Sequence, residues 1–260
     1  MSSLIQLKGL FIREVARFFK VPLQTIGAPI VNSALYLMIF GVSLGNSIRS
    51  PDEVPYLAFL IPGLIAMSVI KNAFDNSTSA IMGPKYVNEL QDLRTVPLSR
   101  QQIVWAKTLA SLVRGLLVGL ITYLVGQTFF FFTDGHMLTI AHPIILSYFL
   151  IVGGLSFGFL GVAIGMLSRS FEHIGAVSAL ILLPLIYLGG VFFTLKNLHP
   201  FWQTVSHFNP LFYIINGVRE GILGNTDINF FPAAIFTFAL FLVTYFCADF
   251  SLRKGTHYLR

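Results

Sequence analysis

Charge is scarce in this chain: Asp, Glu, Lys and Arg together make up 11% of its 260 residues, and only 11 of these are acids. With a mean hydropathy of +0.76, that scarcity excludes an ordinary soluble domain, in which about a quarter of residues are charged. Cysteine is nearly absent. The single Cys247 excludes an intrachain disulfide and any multi-cysteine metal site. A GxxxxGK(S/T) phosphate loop is missing too, because Gly83-Pro84-Lys85 lacks both the glycine-rich turn and the hydroxyl that binds magnesium. No LSGGQ-like segment occurs, so the chain has no P-loop of its own with which to hydrolyse ATP. The histidines are scattered: His199 and His207 need not share a helical face, and His136 and His142 flank a short loop. They read as wet interfacial side chains rather than metal ligands. No nucleophile and base stand at local spacing, although tertiary pairings stay open. Chains of intramembrane carboxylates, which a proton-coupled carrier needs, are missing as well. No catalytic residue, metal or cofactor is therefore expected in this chain itself.

Long apolar runs are what the chain has in abundance. Six of them, at 23–44, 55–74, 115–132, 143–167, 174–195 and 228–250, approach the roughly 20 residues a helix needs to cross a hydrocarbon core of about 30 Å. Backbone amides cannot stay unpaired in lipid, and runs this long read as helices rather than alternating barrel strands. The expected fold is an all-α polytopic membrane protein, residues 1–260 forming a single transmembrane domain. Lys and Arg set the orientation. With a cytoplasmic N-terminus, 14 of the 17 cations fall inside and only Arg49, Lys196 and Arg219 outside, so both termini are expected in the cytoplasm. These cations flank spans instead of forming an aromatic-interleaved face. Membrane lipid, not nucleic acid, is the expected partner of the net +6 charge.

The stretches between the runs carry the rest. Residues 4–20 form an amphipathic helix, with Leu4, Leu7, Phe11, Val15 and Phe18 on one stripe, widened by Ile5, Ile12 and Phe19. Gln6, Arg13, Arg17 and Lys20 lie opposite, which suits an N-terminal interfacial helix (1–21) in the headgroup plane. The second run carries a kink at Pro62-Gly63 and leaves the membrane near Lys71, Asn72 and Asp75. The longest hydrophilic stretch follows, and within it PKYVNELQDLRTVPLSR (84–100) reads as a short helix begun by Pro84 and stopped by Pro97. Leu90 and Leu93 share a face there. Arg114 marks the cytoplasmic edge of the third run, with a role on a transport pathway as the alternative. Glycine pairs four apart, at 154/158, 161/165, 115/119 and 41/45, predict close helix packing or, alternatively, a dimer seam. Segment 196–227 is aromatic but broken by Pro200, Pro210, Gly217, Gly221 and Gly224. Two short re-entrant helices on the external side fit it better than a seventh span, which would send the basic tail outward.

One part of the chain carries a specific likeness. LPLIYLGGVFFTLKNLHPFWQTVSHFNPLFYIINGVREGILG (183–224) resembles the signature region of the ABC-2 type permeases, the membrane subunits of one class of ATP-binding-cassette exporters, with the YadH-like branch nearest. The matching residues are Pro184, Tyr187, Leu188, Gly189, Gly190, Phe192, Pro200, Phe201, Trp202, His207, Asn209, Pro210, Tyr213, Gly217 and Arg219. IPGLIAMSVIKNAF (61–74) and VRGLLVG (113–119) are similar to that branch as well, so the likeness spans nearly the whole chain. It implies six spans, an interfacial N-terminal helix, a cytoplasmic coupling helix (84–97) and external re-entrant helices before the last span. It also implies a pathway formed by two permease copies in a bacterial inner membrane, with two separate ATPase subunits that bind ATP and magnesium. On that pattern Tyr86, Glu89, Leu90, Asp92, Leu93 and Arg94 dock on the ATPase; the alternative is a solvated helix whose charges merely suit its dipole. Trp202, Asn209, Pro210, Tyr213, Gly217 and Arg219 form the external gate, where Arg219 can pair with a carboxylate or with helix-end carbonyls. Phe192, Phe193 and Phe201, extended by Phe208 and Phe212, give an aromatic surface that either meets cargo or faces lipid. A carrier driven by an ion gradient and an enzyme acting on lipid headgroups are the competing classes.

Overall fold

The structure, a computed structural model, describes residues 2–43, 55–86, 98–194, 199–224 and 229–255, and these contain helices but no strand. In chain order the helices are α1 (Ser2–Phe19), α2 (Leu23–Ser43), α3 (Tyr56–Tyr86), α4 (Arg100–Asp134), α5 (Pro143–Leu167), α6 (Phe171–Leu188), α7 (Pro200–His207), α8 (Pro210–Leu223) and α9 (Phe230–Gly255). Six of them, α2 to α6 and α9, are long and apolar enough to cross a membrane. This is the all-α polytopic fold the apolar runs predict. Successive spans alternate in direction. One end of the bundle, here called basal, gathers α1, the starts of α4 and α6 and the ends of α3, α5 and α9. The other, distal end carries α7 and α8.

α3 runs through the middle, packed along α4 and α5, and 83% of its most apolar stretch is buried. Its neighbours come close because glycines face them. A Cβ placed on Gly161 would stand 2.6 Å from the Phe74 carbonyl oxygen, and one on Gly115 would stand 2.7 Å from that of Val69. Gly154, Gly158, Gly165 and Gly119 likewise face Leu112, Thr108, Ile81 and Val69. The pairs 154/158, 161/165 and 115/119 are therefore packing surfaces within the chain; of the fourth, Gly41 faces Leu57 and Gly45 lies outside the described residues. α6 and α9 are the opposite case. Only 11% and 17% of their apolar stretches are buried, and Leu180, Ile235 and Phe231 point away from the bundle.

Boundaries differ from the sequence expectation in three places. α3 continues beyond residue 74 to Tyr86, so Pro84 lies inside it rather than opening a separate helix. A proline there removes the backbone donor for the carbonyl four residues earlier. That carbonyl, of Ala80, instead accepts a hydrogen bond from Lys107 Nζ at 2.7 Å, and the helix survives. α4 starts at Arg100 rather than at 115. Ser99 caps it, its hydroxyl accepting from Gln102 N–H while its own N–H donates to Gln102 Oε1. Arg114 thus lies inside α4, 14 residues from its start. α6 ends at Leu188 rather than 195, because Gly189 and Gly190 turn the chain and Gly190 holds φ 85°.

The close approach of α3 and α5 makes Gly161→Ala destabilising by about 1–3 kcal/mol, since the obstructing atom is backbone. Gly175→Ala, where nothing lies within 4 Å, serves as the neutral comparison. Thermal unfolding in detergent followed by helical circular dichroism separates the two.

Candidate functional site

The basal end is held by one buried charge cluster. Lys107 Nζ, on α4, donates to Glu14 Oε1 at 2.9 Å, and both side chains are almost wholly buried. Arg17 Nε donates to Glu14 Oε2 at 2.9 Å, and its other nitrogens reach Ser79 Oγ and the Asn76 carbonyl on α3. Asn76 in turn accepts at Oδ1 from Arg114 Nη1 at 3.2 Å and donates to Ser111 Oγ at 2.9 Å. α1 is thereby fastened across α3 and α4. Its packed face consists of Leu10, Glu14 and Phe18, with Leu7, Phe11, Val15 and Arg17 half-buried, while Leu4, Ile5, Ile12 and Phe19 stay exposed. The expected apolar stripe is therefore only partly the packed one, and Arg17 belongs to the packed side. Glu14 was missed because a lone acid among apolar residues has no visible partner until α4 arrives. Burial pushes the Glu14 carboxyl up, but Lys107, by charge and by hydrogen bond, with Arg17 and Arg13, outweighs it and holds the group below the usual carboxylate range.

Next to the cluster lies a cavity of about 510 Å³ between α1, α2, α3 and α4. Its wall includes Arg17, Asn32, Ser68, Lys71, Asp75 and Arg114 on the polar side and Pro29, Leu64, Met67 and Val118 on the apolar side. Lys71 Nζ and Asp75 Oδ2 pair at 2.6 Å, one turn apart on α3, with side chains 38% and 39% exposed. Below them α3 joins its neighbours again. Lys85 Nζ donates to the carbonyls of Met166 at 2.7 Å and Ser168 at 2.5 Å, serving the otherwise orphaned end of α5. The Tyr86 ring meets Phe171, at the start of α6, at 5.7 Å. Of the residues expected to dock on an ATPase, Tyr86 is described and exposed; Glu89, Leu90, Asp92, Leu93 and Arg94 lie outside the described residues.

At the distal end most of the expected gate residues converge. Arg219, buried in α8, donates to the Gly190 carbonyl at 2.9 Å and to Asn216 Oδ1 at 3.1 Å, with its guanidinium 3.8 Å from the Phe59 ring centre. Asn209 starts α8 by accepting from Leu211 N–H at 3.0 Å, and its amide donates to the Leu185 carbonyl in α6 at 2.6 Å. Pro210 occupies the first turn of α8, where a missing N–H costs nothing. Tyr213 O–H donates to the His207 carbonyl, closing the α7–α8 corner. Gly217 faces the Phe149 ring, which a Cβ would strike. Trp202 and Phe201 pack edge to face at 5.2 Å on the exposed side of α7, apart from this knot. Phe192 lies half-buried among Tyr36, Phe40 and Tyr187, and its carbonyl accepts from Tyr56 O–H at 2.8 Å. Phe193 is half-buried and Phe208 exposed. Phe212 is buried at 4% exposure, so it belongs to the core and not to the aromatic surface.

Six apolar spans, a capped pair of short distal helices and a charged basal end describe a polytopic membrane protein. The chain belongs to the ABC-2 type transporter family, whose model matches residues 5–223. It is similar to the inner membrane transport permease YadH of Escherichia coli (strain K12), with 33% identity over 243 residues covering 92% of this chain and 93% of that one. It is also similar to nodulation protein J of Rhizobium leguminosarum bv. viciae, 28% identical over 230 residues with 84% and 82% coverage. Nodulation protein J of Rhizobium meliloti (strain 1021) is 28% identical over 219 residues, covering 82% and 79%.

Removing one partner of the buried pair leaves an uncompensated charge, so Glu14→Gln destabilises by about 3–5 kcal/mol and Glu14→Gln with Lys107→Met regains much of it. The pH dependence has a definite sign. A lowered carboxyl contributes stability that is present above the ordinary glutamate range and is lost as pH falls through the folded value. Proteolytic release of α1 should therefore rise on acidification in the unaltered chain and lose that response in Glu14→Gln.

Proposed function

We propose that the chain is the membrane-spanning permease subunit of an ATP-driven exporter in a bacterial inner membrane, working as a pair of identical copies powered by two separate ATPase subunits. The family match over residues 5–223 carries this reading. The inner-membrane transport permease among its relatives supports it. The bias of Lys and Arg makes the basal end cytoplasmic, so the ATPases bind there, and α1 lies along the inner headgroups with Leu4, Ile5 and Ile12 in lipid. Residues 84–97 form the coupling segment. Leu90 and Leu93 give the apolar contact, and Glu89, Asp92 and Arg94 give the paired rim.

The geometry offers a route for force. α3 runs continuously into the coupling segment, Lys85 ties its end to α5, and Tyr86 rests on Phe171 at the start of α6. Closure of the ATPases on nucleotide would press on this segment and tilt α3 and α6, opening the pathway outward. The far end of α6 is tied to α8 through Asn209 and Arg219, so the same tilt would draw on the distal helices that gate the exit. Trp202, Pro210, Tyr213 and Gly217 shape that gate, while Phe192, Phe193 and Phe201 supply its aromatic lining.

Affinity purification of the chain from its own membranes should recover a P-loop ATPase in equal amount. Leu93→Asp with Arg94→Glu should abolish transport-coupled ATP hydrolysis while Arg219→Lys leaves the ATPase bound. Unchanged coupling in the first variant would refute the docking role, and full activity without any ATPase would refute the exporter.

A further inference from the structure

The cavity beside the basal cluster has features that packing does not explain. Four ionisable side chains, Arg17, Lys71, Asp75 and Arg114, meet on its wall beside apolar helix faces. Charged groups gathered between apolar helices call for water or a ligand of matching charge. Arg17, Lys71 and Arg114 line the cavity against one carboxylate, Asp75, so its polar wall carries an excess of two positive charges. Arg17 is engaged by Glu14, and Lys71 by Asp75. Arg114 has one nitrogen on Asn76, while its Nε is buried with no hydrogen-bond partner among the described residues. A buried guanidinium N–H calls for an acceptor. Leu64 and Met67 on α3 and Val118 on α4 continue the same helix faces one to two turns away and are apolar. About 510 Å³ is the size of a site for one small molecule.

We propose that this cavity is the inward-facing cargo site and that it selects an amphipathic anion. Arg114, with Lys71, grips a phosphate or carboxylate head, and Leu64, Met67 and Val118 receive the beginning of its apolar part. The assignment as cargo rests on the exporter reading; the selectivity does not. Asp75 acts as the internal competitor, holding Lys71 until an anion arrives.

The lone cysteine makes the test direct. Cys247 is exposed and free; in a Cys247→Ser background, Asn32→Cys places a reporter thiol on the cavity wall. Full-length protein in phosphatidylcholine vesicles is labelled with anionic and cationic methanethiosulfonates, and the rate ratio is compared with that of free mercaptoethanol. The ratio should favour the anionic reagent by about ten-fold over the free thiol. It should fall towards the free-thiol value in Arg114→Gln, hold in Arg114→Lys and rise in Asp75→Asn. Dodecyl phosphate should slow labelling, and dodecyl trimethylammonium should not. A reporter that neither reagent reaches, or a ratio indifferent to Arg114→Gln in protein that still elutes as a folded species, overturns the site. Equal protection by inorganic phosphate overturns the amphipathic requirement, and protection by phosphatidylglycerol in the vesicles alone assigns the site to bilayer lipid instead of cargo. None of these readouts needs an ATPase, so loss of the exporter reading would be seen separately, by purification.

Discussion

A single buried ammonium organises the basal half of this protein. Lys107 has no exposed surface, and its nitrogen is taken up by the Glu14 carboxylate and the Ala80 carbonyl. Each group would be costly alone. A lysine in the core of a bundle needs a counter-charge, a glutamate on the packed side of an amphipathic helix needs a cation, and a carbonyl opposite a proline needs a donor. Brought together, the three satisfy one another and join α1, α3 and α4 at one point. Asn76 extends the connection by linking Arg17, Arg114 and Ser111.

The distal end repeats the logic with a different cation. Arg219 is buried where α6 has already ended, and the turn at Gly189 and Gly190 presents the carbonyl it needs. The Phe59 ring covers the guanidinium from the α3 side. Between the two polar knots, contact is mainly steric, with glycines on α4 and α5 set against α3, and the hydroxyls of Ser33, Thr122 and Ser68 add one hydrogen-bonded link between α2, α4 and α3. Such an arrangement concentrates specificity at the ends, where hydrogen bonds fix register, and leaves the middle to close packing. The half-exposed cavity wall with Lys71 and Asp75 adjoins the basal knot, with which it shares Arg17 and Arg114.

Number and order of the spans were readable because they rest on run length. The short distal helices were readable too, since Pro200, Pro210 and Gly224 punctuate them at helix starts and ends. Boundaries were not. Opening a separate helix at Pro84 followed from the usual place of proline at a helix start, yet α3 runs through it because Lys107 takes up the carbonyl the proline leaves free. The segment from Ser99 to Arg114 extends α4 because its polar residues find partners on α1 and α3.

Composition and the spacing of apolar residues, being local properties of the chain, were enough to establish a six-span helical membrane protein. Family membership was likewise visible in residues 183–224, where prolines, glycines and aromatics stand at set intervals. Partnership between distant residues was decided only by folding. Glu14 with Lys107, Arg219 with Gly190, and the convergence of Arg17, Lys71, Asp75 and Arg114 on one cavity all join segments far apart along the chain. Nothing in local periodicity encodes them, because a buried charge acquires its meaning from the neighbour that neutralises it.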